Sequence, residues 1–136
     1  MREAAQYLIM LLALLTIQHP AATAPRQIEP MAEVAPQMTY AGEYTIVAYC
    51  AEQYPHICGG NPTTKSGEPV TPGVTVAADP DVLPMGTHIY IDGIGERVVQ
   101  DTGGAIKGHK IDLAVESHQE AVAWGVQHKG VWVCAN

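Results

Sequence analysis

The chain has 136 residues, enough for one domain, with 47% apolar and only 15% charged residues. Its 13 Gly and 10 Pro are spread through most of the length, which excludes a helical bundle or coiled coil and favours short strands joined by turns. The 7 Lys plus Arg against 14 Asp plus Glu leave a net charge of -7 with no basic stripe, so a nucleic-acid partner is excluded.

Residues 1–24 read as an export signal: Arg2 lies in a short polar opening, Leu8 to Ile17 is an apolar run, and Pro20 breaks it. The run is shorter than the roughly 20 residues of a membrane-spanning helix. Ala22-Thr23-Ala24 suits a signal peptidase, but Pro25 directly after it opposes cleavage. A short peripheral membrane anchor is therefore the alternative. Either way the folded part is exported, where disulfides persist. Residues 25–41, with Pro25, Pro30 and Pro36, form an acidic tether without periodicity. The folded domain is expected over 42–136, as a monomer.

Within it, Glu43 to Cys50, Val74 to Ala78, Thr87 to Asp92 and Glu96 to Gln100 read as strands. Leu83-Pro84-Met85-Gly86 suits a type I turn, with Pro second and Gly fourth. Lys110 to Val115 alternates, sending Ile111, Leu113 and Val115 to one face and Asp112 to the other. Ser117-His118-Gln119-Glu120 is a capping box that opens a helix to Trp124, stopped by Gly125. Gly130 to Cys134 is the last strand. Six short strands and one small helix predict an all-β fold, closed or nearly closed into a barrel that hides its edges. Trp124 and Trp132 are expected in the core of a chain that has no Phe.

Three aspartates carry the chemistry. Asp79 precedes Pro80, a pair that organises turns through side-chain bonds to backbone, and Asp101 before Thr102-Gly103-Gly104 suits the same role. Asp112 has no turn to make, and a carboxylate inside an aliphatic strand asks for another explanation. Two carboxylates in a partly dry cleft favour sharing a proton. An ordinary Asp is protonated about one part in a thousand at pH 7, and raising its pKa to about 6 costs about 2.9 kcal/mol, which a like charge and desolvation can supply. The cluster can then hold a general acid.

Thr64-Lys65-Ser66-Gly67, Val76-Ala77-Ala78-Asp79-Pro80, Leu83-Pro84-Met85-Gly86-Thr87, Asp101-Thr102-Gly103-Gly104-Ala105-Ile106-Lys107-Gly108 and Ile111-Asp112 together resemble the three-aspartate (3D) domain of bacterial cell-wall proteins. That family includes stationary-phase survival and spore-associated muralytic proteins and membrane-bound lytic transglycosylase A. The resemblance implies a six-stranded double-psi β-barrel that acts on peptidoglycan glycan strands. It also implies a reaction that needs no cofactor and no metal. The bond between N-acetylmuramic acid and N-acetylglucosamine would be cut with closure of a 1,6-anhydro ring, one carboxyl group serving first as acid and then as base. By resemblance Asp112 takes that role, Asp101 raises its pKa and orients substrate, and Asp79 completes the carboxylate cluster or holds its loop. Thr64, Thr102, Gly103, Gly104 and Lys107 would contact the sugar. Tyr49 suits either stacking on a sugar or the core. Ile94 stands where many relatives carry Tyr, so an aromatic at the cleft rim is expected to be missing.

Two other readings compete. An expansin-like module would bind the wall without cutting it. A retropepsin-like aspartic protease would use Asp101-Thr102-Gly103, although Gly104 and Gln100 depart from its pattern. Cys50, His56 and Cys58 lack the paired spacing of a zinc site. The cysteines are better read as covalent support. A Cys50 to Cys58 bridge would contribute about 2.6 kcal/mol and a Cys50 to Cys134 bridge about 4.6 kcal/mol, and the sequence does not choose between them.

Overall fold

The computed structural model describes residues 37–52, 58 and 61–135. The expected leader, most of the expected Pro-rich tether and His56 lie outside the described residues. Six strands appear in chain order: β1 Met38–Cys50, β2 Thr75–Ala78, β3 His88–Ile91, β4 Gly95–Asp101, β5 Lys110–Val115 and β6 Gln127–Cys134, with one helix, α1 His118–Trp124, between β5 and β6. They close into a barrel in the order β1-β5-β2-β4-β3-β6. The pairs β1/β5 and β2/β4 are parallel and the other four antiparallel, which is how the double-psi expectation is met. Closure leaves each of these strands paired on both sides, so among the described residues no strand edge is open to another chain. Strand β1 begins at Met38, so residues 38–41 belong to the barrel and not to the tether.

The interior follows from alternation. Tyr44 and Ile46 of β1, Val76 and Ala78 of β2, Ile89 and Ile91 of β3, Val99 of β4, Ile111, Leu113 and Val115 of β5 and Val131 of β6 form one apolar cluster, closed by Leu83. Burying each large aliphatic side chain stabilises the fold by about 1.5–3 kcal/mol before entropy is counted. Helix α1 packs against β1, and Trp124 donates from Nε1 to the Ile46 carbonyl at 3.4 Å. Ser117 caps the helix by accepting from Glu120 N–H at 3.2 Å, while Glu120 reaches back one residue further than expected, to Glu116 N–H.

Two local expectations change. The turn before β3 is shifted by one residue: Thr87 N–H bonds to Pro84 O at 3.1 Å, and Gly86, at φ +85, occupies the third position that type II turns reserve for glycine. Trp132 is not a core residue. It lies on the outer face, where register sets it between Tyr40 of β1 and Tyr90 of β3, with ring centroids 5.1 and 6.1 Å away. Gly130 makes room for it, since a Cβ there would stand 2.9 Å from the indole.

Candidate active site

The site is built on the outer face of β1, β5, β2 and β4. Ala77 of β2 pairs with Asp112 of β5 on one side and with Asp101 of β4 on the other. The two carboxylates therefore stand two strands apart, roughly 10 Å between Cα atoms, with only a methyl group between them. Val47 of β1 pairs with Asp112, and Tyr49 lies two residues further along the same face.

Asp101 faces outward only because β4 is irregular. Val99 points into the core, and strict alternation would send Asp101 inward as well. The pairing of β2 with β4 instead jumps from Val76/Val99 to Ala77/Asp101, leaving Gln100 as an extra residue that re-aims Asp101. The extra residue is tied down. Gln100 Oε1 accepts from the Thr75 hydroxyl at 2.7 Å, that hydroxyl accepts from Thr71 N–H at 2.9 Å, and Gln100 O accepts from Ser66 N–H at 3.0 Å. Gln100, which breaks the apolar run in the sequence, is thus the residue that turns the site outward.

Tyr49, Ala77, Asp101 and Asp112 line an open cavity of about 550 Å³ with Cys58, Asn61, Thr63, Thr64, Lys65, Thr102, Gly103 and Ile106. Asp112 lies within it. Burial pushes its carboxyl up to about 6; Lys110 opposes that shift and the charge of Asp101 adds to it. Its Oδ1 is buried without a hydrogen-bond partner among the described residues, and so is the Tyr49 hydroxyl. Burial, then the charges of Asp101 and Asp112, hold the Tyr49 phenol well above its ordinary pKa. Tyr49 therefore stays a hydrogen-bond donor beside a carboxyl that lacks one. Asp101 is fixed differently: its Oδ1 accepts from Thr102 N–H at 2.9 Å and from Lys65 N–H at 3.0 Å, joining β4 to the loop that forms the opposite wall.

The expected cluster of three aspartates is a pair. Asp79 does not line the cavity. Its Oδ1 accepts from Asp81 N–H at 3.2 Å and its Oδ2 from Gly108 N–H at 2.8 Å, which binds the turn after β2 to the loop before β5. The Gly108 bond, then the Asp81 bond, with the charge of Lys107, hold its pKa below the usual value against some opposing burial. An acceptor so occupied clamps the two loops together. Asp79→Ala is expected to lower the melting temperature and to leave the pH dependence of any cleft reaction unchanged, as thermal denaturation and a pH–rate profile would check.

Other expectations divide similarly. Thr64, Thr102 and Gly103 line the cavity, whereas Gly104 and Lys107 do not. The Thr64 hydroxyl bonds to Glu68 O at 2.8 Å and lies 2.9 Å from Ser66 Oγ, so it shapes the wall. Gly103 is required by packing, because a Cβ there would stand 2.8 Å from Ile106 Cγ1. Ile94 is not at this rim. It lines a second cavity, of about 310 Å³, with Arg97, Glu120 and Trp124. Within one chain, the carboxylate on the far side of Ala77 from Asp101 comes from within strand β5 and not from a second Asp-Thr-Gly turn. The sequence reading gave no role to Ala77, Asn61 or Ile106. Only Ala77 had a usable signal, a small residue on the outward parity of β2.

The cysteines are partly resolved. Cys134 pairs with Met38 at one end of β1 and Cys50 lies at the other, so a bridge between them is excluded. Cys50 and Cys58 stand with their sulfurs 2.6 Å apart.

Residues 74–135, which span all three aspartates, match the family model described as the 3D domain. Over 58 residues the chain is 50% identical to the cell wall-binding protein YocH of Bacillus subtilis (strain 168), covering 43% of this chain and 20% of that protein. Over 69 residues it is 38% identical to YabE of the same organism, whose name describes cell wall shaping, covering 50% of this chain and 17% of that one. The chain thus spans about a fifth of these curated relatives. Among solved structures it is similar to MltA from E. coli, with 26% identity, a TM-score of 0.46, and coverage of 57% of this chain and 29% of that one. The matched span supplies Ala77, Asp101, Thr102, Gly103, Ile106 and Asp112, while the Thr63 to Lys65 wall lies before it.

Proposed function

We propose that the protein is a peptidoglycan lytic transglycosylase, acting outside the cytoplasm on the bond between N-acetylmuramic acid and N-acetylglucosamine. The observation that carries this is Asp112: a carboxyl with a pKa of about 6 and an unpartnered oxygen, in a cavity open enough for a glycan and shared with a second carboxylate. At pH 7 roughly one Asp112 in ten is protonated, against about one in a thousand for an ordinary Asp. The similarity to a protein named for cell wall binding supports the substrate class.

In this reading Asp112 gives its proton to the glycosidic oxygen as the C1–O bond breaks. The same carboxylate then takes the proton of the muramyl C6 hydroxyl, whose oxygen closes onto C1. No water is consumed, so no second carboxylate is needed to activate one, in contrast to hydrolytic glycosidases. Asp101 keeps the proton on Asp112 before bond cleavage, and its charge favours the cationic sugar as that charge develops. Tyr49 donates to a sugar oxygen or to Asp112 once it is ionised.

Digestion of purified peptidoglycan tests this. Anhydro-muropeptides, about one water lighter than hydrolysis products, are expected by mass spectrometry. The active form of Asp112 is the protonated one, so kcat/KM is expected to fall about tenfold per pH unit above pH 6. A rate that is flat from pH 5 to 8 would remove Asp112 as the acid. Wall binding without cleavage is the second reading, favoured by the name of the relative at 50% identity. Sacculi that retain the protein yet release no product would establish it.

A further inference from the structure

Cys58 lies at the wall of the cavity that holds Asp101 and Asp112, and it has two chemically relevant neighbours. Its sulfur is 2.6 Å from Cys50 Sγ and 3.3 Å from His118 Nδ1, and the three atoms all lie within 4.8 Å of one another. They arrive from three separate places: the last residue of β1, the segment before the Thr63 to Lys65 wall, and the first residue of α1. The fold holds two of them firmly. Ala51 N–H bonds to Val115 O at 2.8 Å just after Cys50, and the Ser117 cap fixes the turn that presents His118. The accessibilities differ in a useful way: Cys50 is buried, Cys58 half-buried and His118 exposed.

We propose that Cys58 is a thiol modification site at the cleft, with His118 as its base and Cys50 as the resolving thiol that clears it. The oxidant is a small-molecule disulfide. Cys58 gives its proton to His118 Nδ1, and the thiolate attacks one sulfur of the oxidant, whose S–S bond breaks. The departing sulfur takes up a proton and leaves as a thiol. The resulting mixed disulfide projects into the cavity and obstructs it. Cys50 then loses its proton and attacks the Cys58 sulfur, breaking the mixed bond and releasing the second thiol. The net change is one protein disulfide formed from two thiols and one small disulfide reduced to two thiols. Cys58 is attacked first because Cys50 is buried, and burial also raises the pKa of the Cys50 thiol. This chemistry does not depend on the reaction proposed for the cleft.

Reduced full-length protein, exchanged into glutathione disulfide, tests it by intact mass and peptide mapping. The wild type is expected to end with Cys50 and Cys58 joined, Cys134 still alkylatable and no adduct retained. Cys50→Ser is expected to keep one glutathione on Cys58, and Cys58→Ser to keep none on Cys50. His118→Gln should slow the first step on the order of tenfold near neutral pH. The exposed position of His118 and mapping of the wild type itself keep the test independent of whether Cys50→Ser folds. A wild-type adduct that persists on Cys58, or a bridge that includes Cys134, would overturn the proposal. So would equimolar zinc that protects both Cys50 and Cys58 from alkylation in the reduced protein, which would make the cluster a metal site.

Discussion

Asp112→Asn is expected to lose peptidoglycan cleavage by about 10²- to 10⁴-fold and, at the same time, to be the more stable protein at pH 7.5. Both effects have one cause. Folding raises the Asp112 pKa from 3.8 to about 6, so the folded state holds the proton more tightly than the unfolded state does. Its carboxylate form therefore opposes folding. The penalty is absent below pH 4, grows as the pH rises through about 4 to 6, and is complete above that window. The shift corresponds to about 3 kcal/mol, reduced to about 1–2 kcal/mol because the group is only partly withdrawn from solvent. Asparagine cannot ionise and escapes it. For a domain of this size that is a difference of roughly 5–15 °C in melting temperature at pH 7.5, closing towards pH 4. Denaturation of both proteins at the two pH values measures it. Equal stabilities at pH 7.5 would mean that Asp112 is an ordinary surface carboxylate.

Ala77→Leu has the second large effect. Ala77 is paired with Asp101 on one side and Asp112 on the other, and its methyl group is all that stands between them at the floor of the cavity. A leucine there would occupy the space where a sugar must approach both carboxylates. A displacement of about 1 Å of a reacting group can cost on the order of 100-fold, so activity should fall by at least that much. The side chain points away from the barrel interior, so the fold should survive, as circular dichroism would report. Retained cleavage would place the substrate elsewhere on the surface. Sedimentation with sacculi separates the two variants: Asp112→Asn should still bind and Ala77→Leu should not.

Much of the fold was legible because strands with one buried face write their alternation into the sequence. Lys110–Val115 has the predicted bounds, and every other strand overlaps its expected range. The order of strands around the barrel was not legible, since it depends on pairings between residues far apart in the chain. Asp112 was identifiable from parity alone, being outward on a strand whose other parity is apolar. Asp101 was not, because its direction depends on an irregularity that only pairing with β2 reveals. Asp79 illustrates the opposite limit: the local reading of Asp-Pro as a turn accounts for its bonds to Asp81 and Gly108, and of the two roles expected for it the structure shows the loop-holding one. Trp132 was assigned to the core by its apolar character, but its position on β6 makes it part of an outer aromatic row.

The extra residue at Gln100 has a genetic consequence. Side-chain direction along a strand has two values, and the number of residues between Val99 and Asp101 selects one. Substitutions at Gln100 leave that count intact and alter only its bonds to Thr75. Loss of its codon, in frame, would set Asp101 directly after Val99, where regular alternation alone turns it outward opposite Ala77, and would remove the bonds to Thr75 and Ser66. At this one position an in-frame deletion is therefore expected to spare the direction of the cleft carboxylate, and its cost falls on the bonds that hold the neighbouring segment.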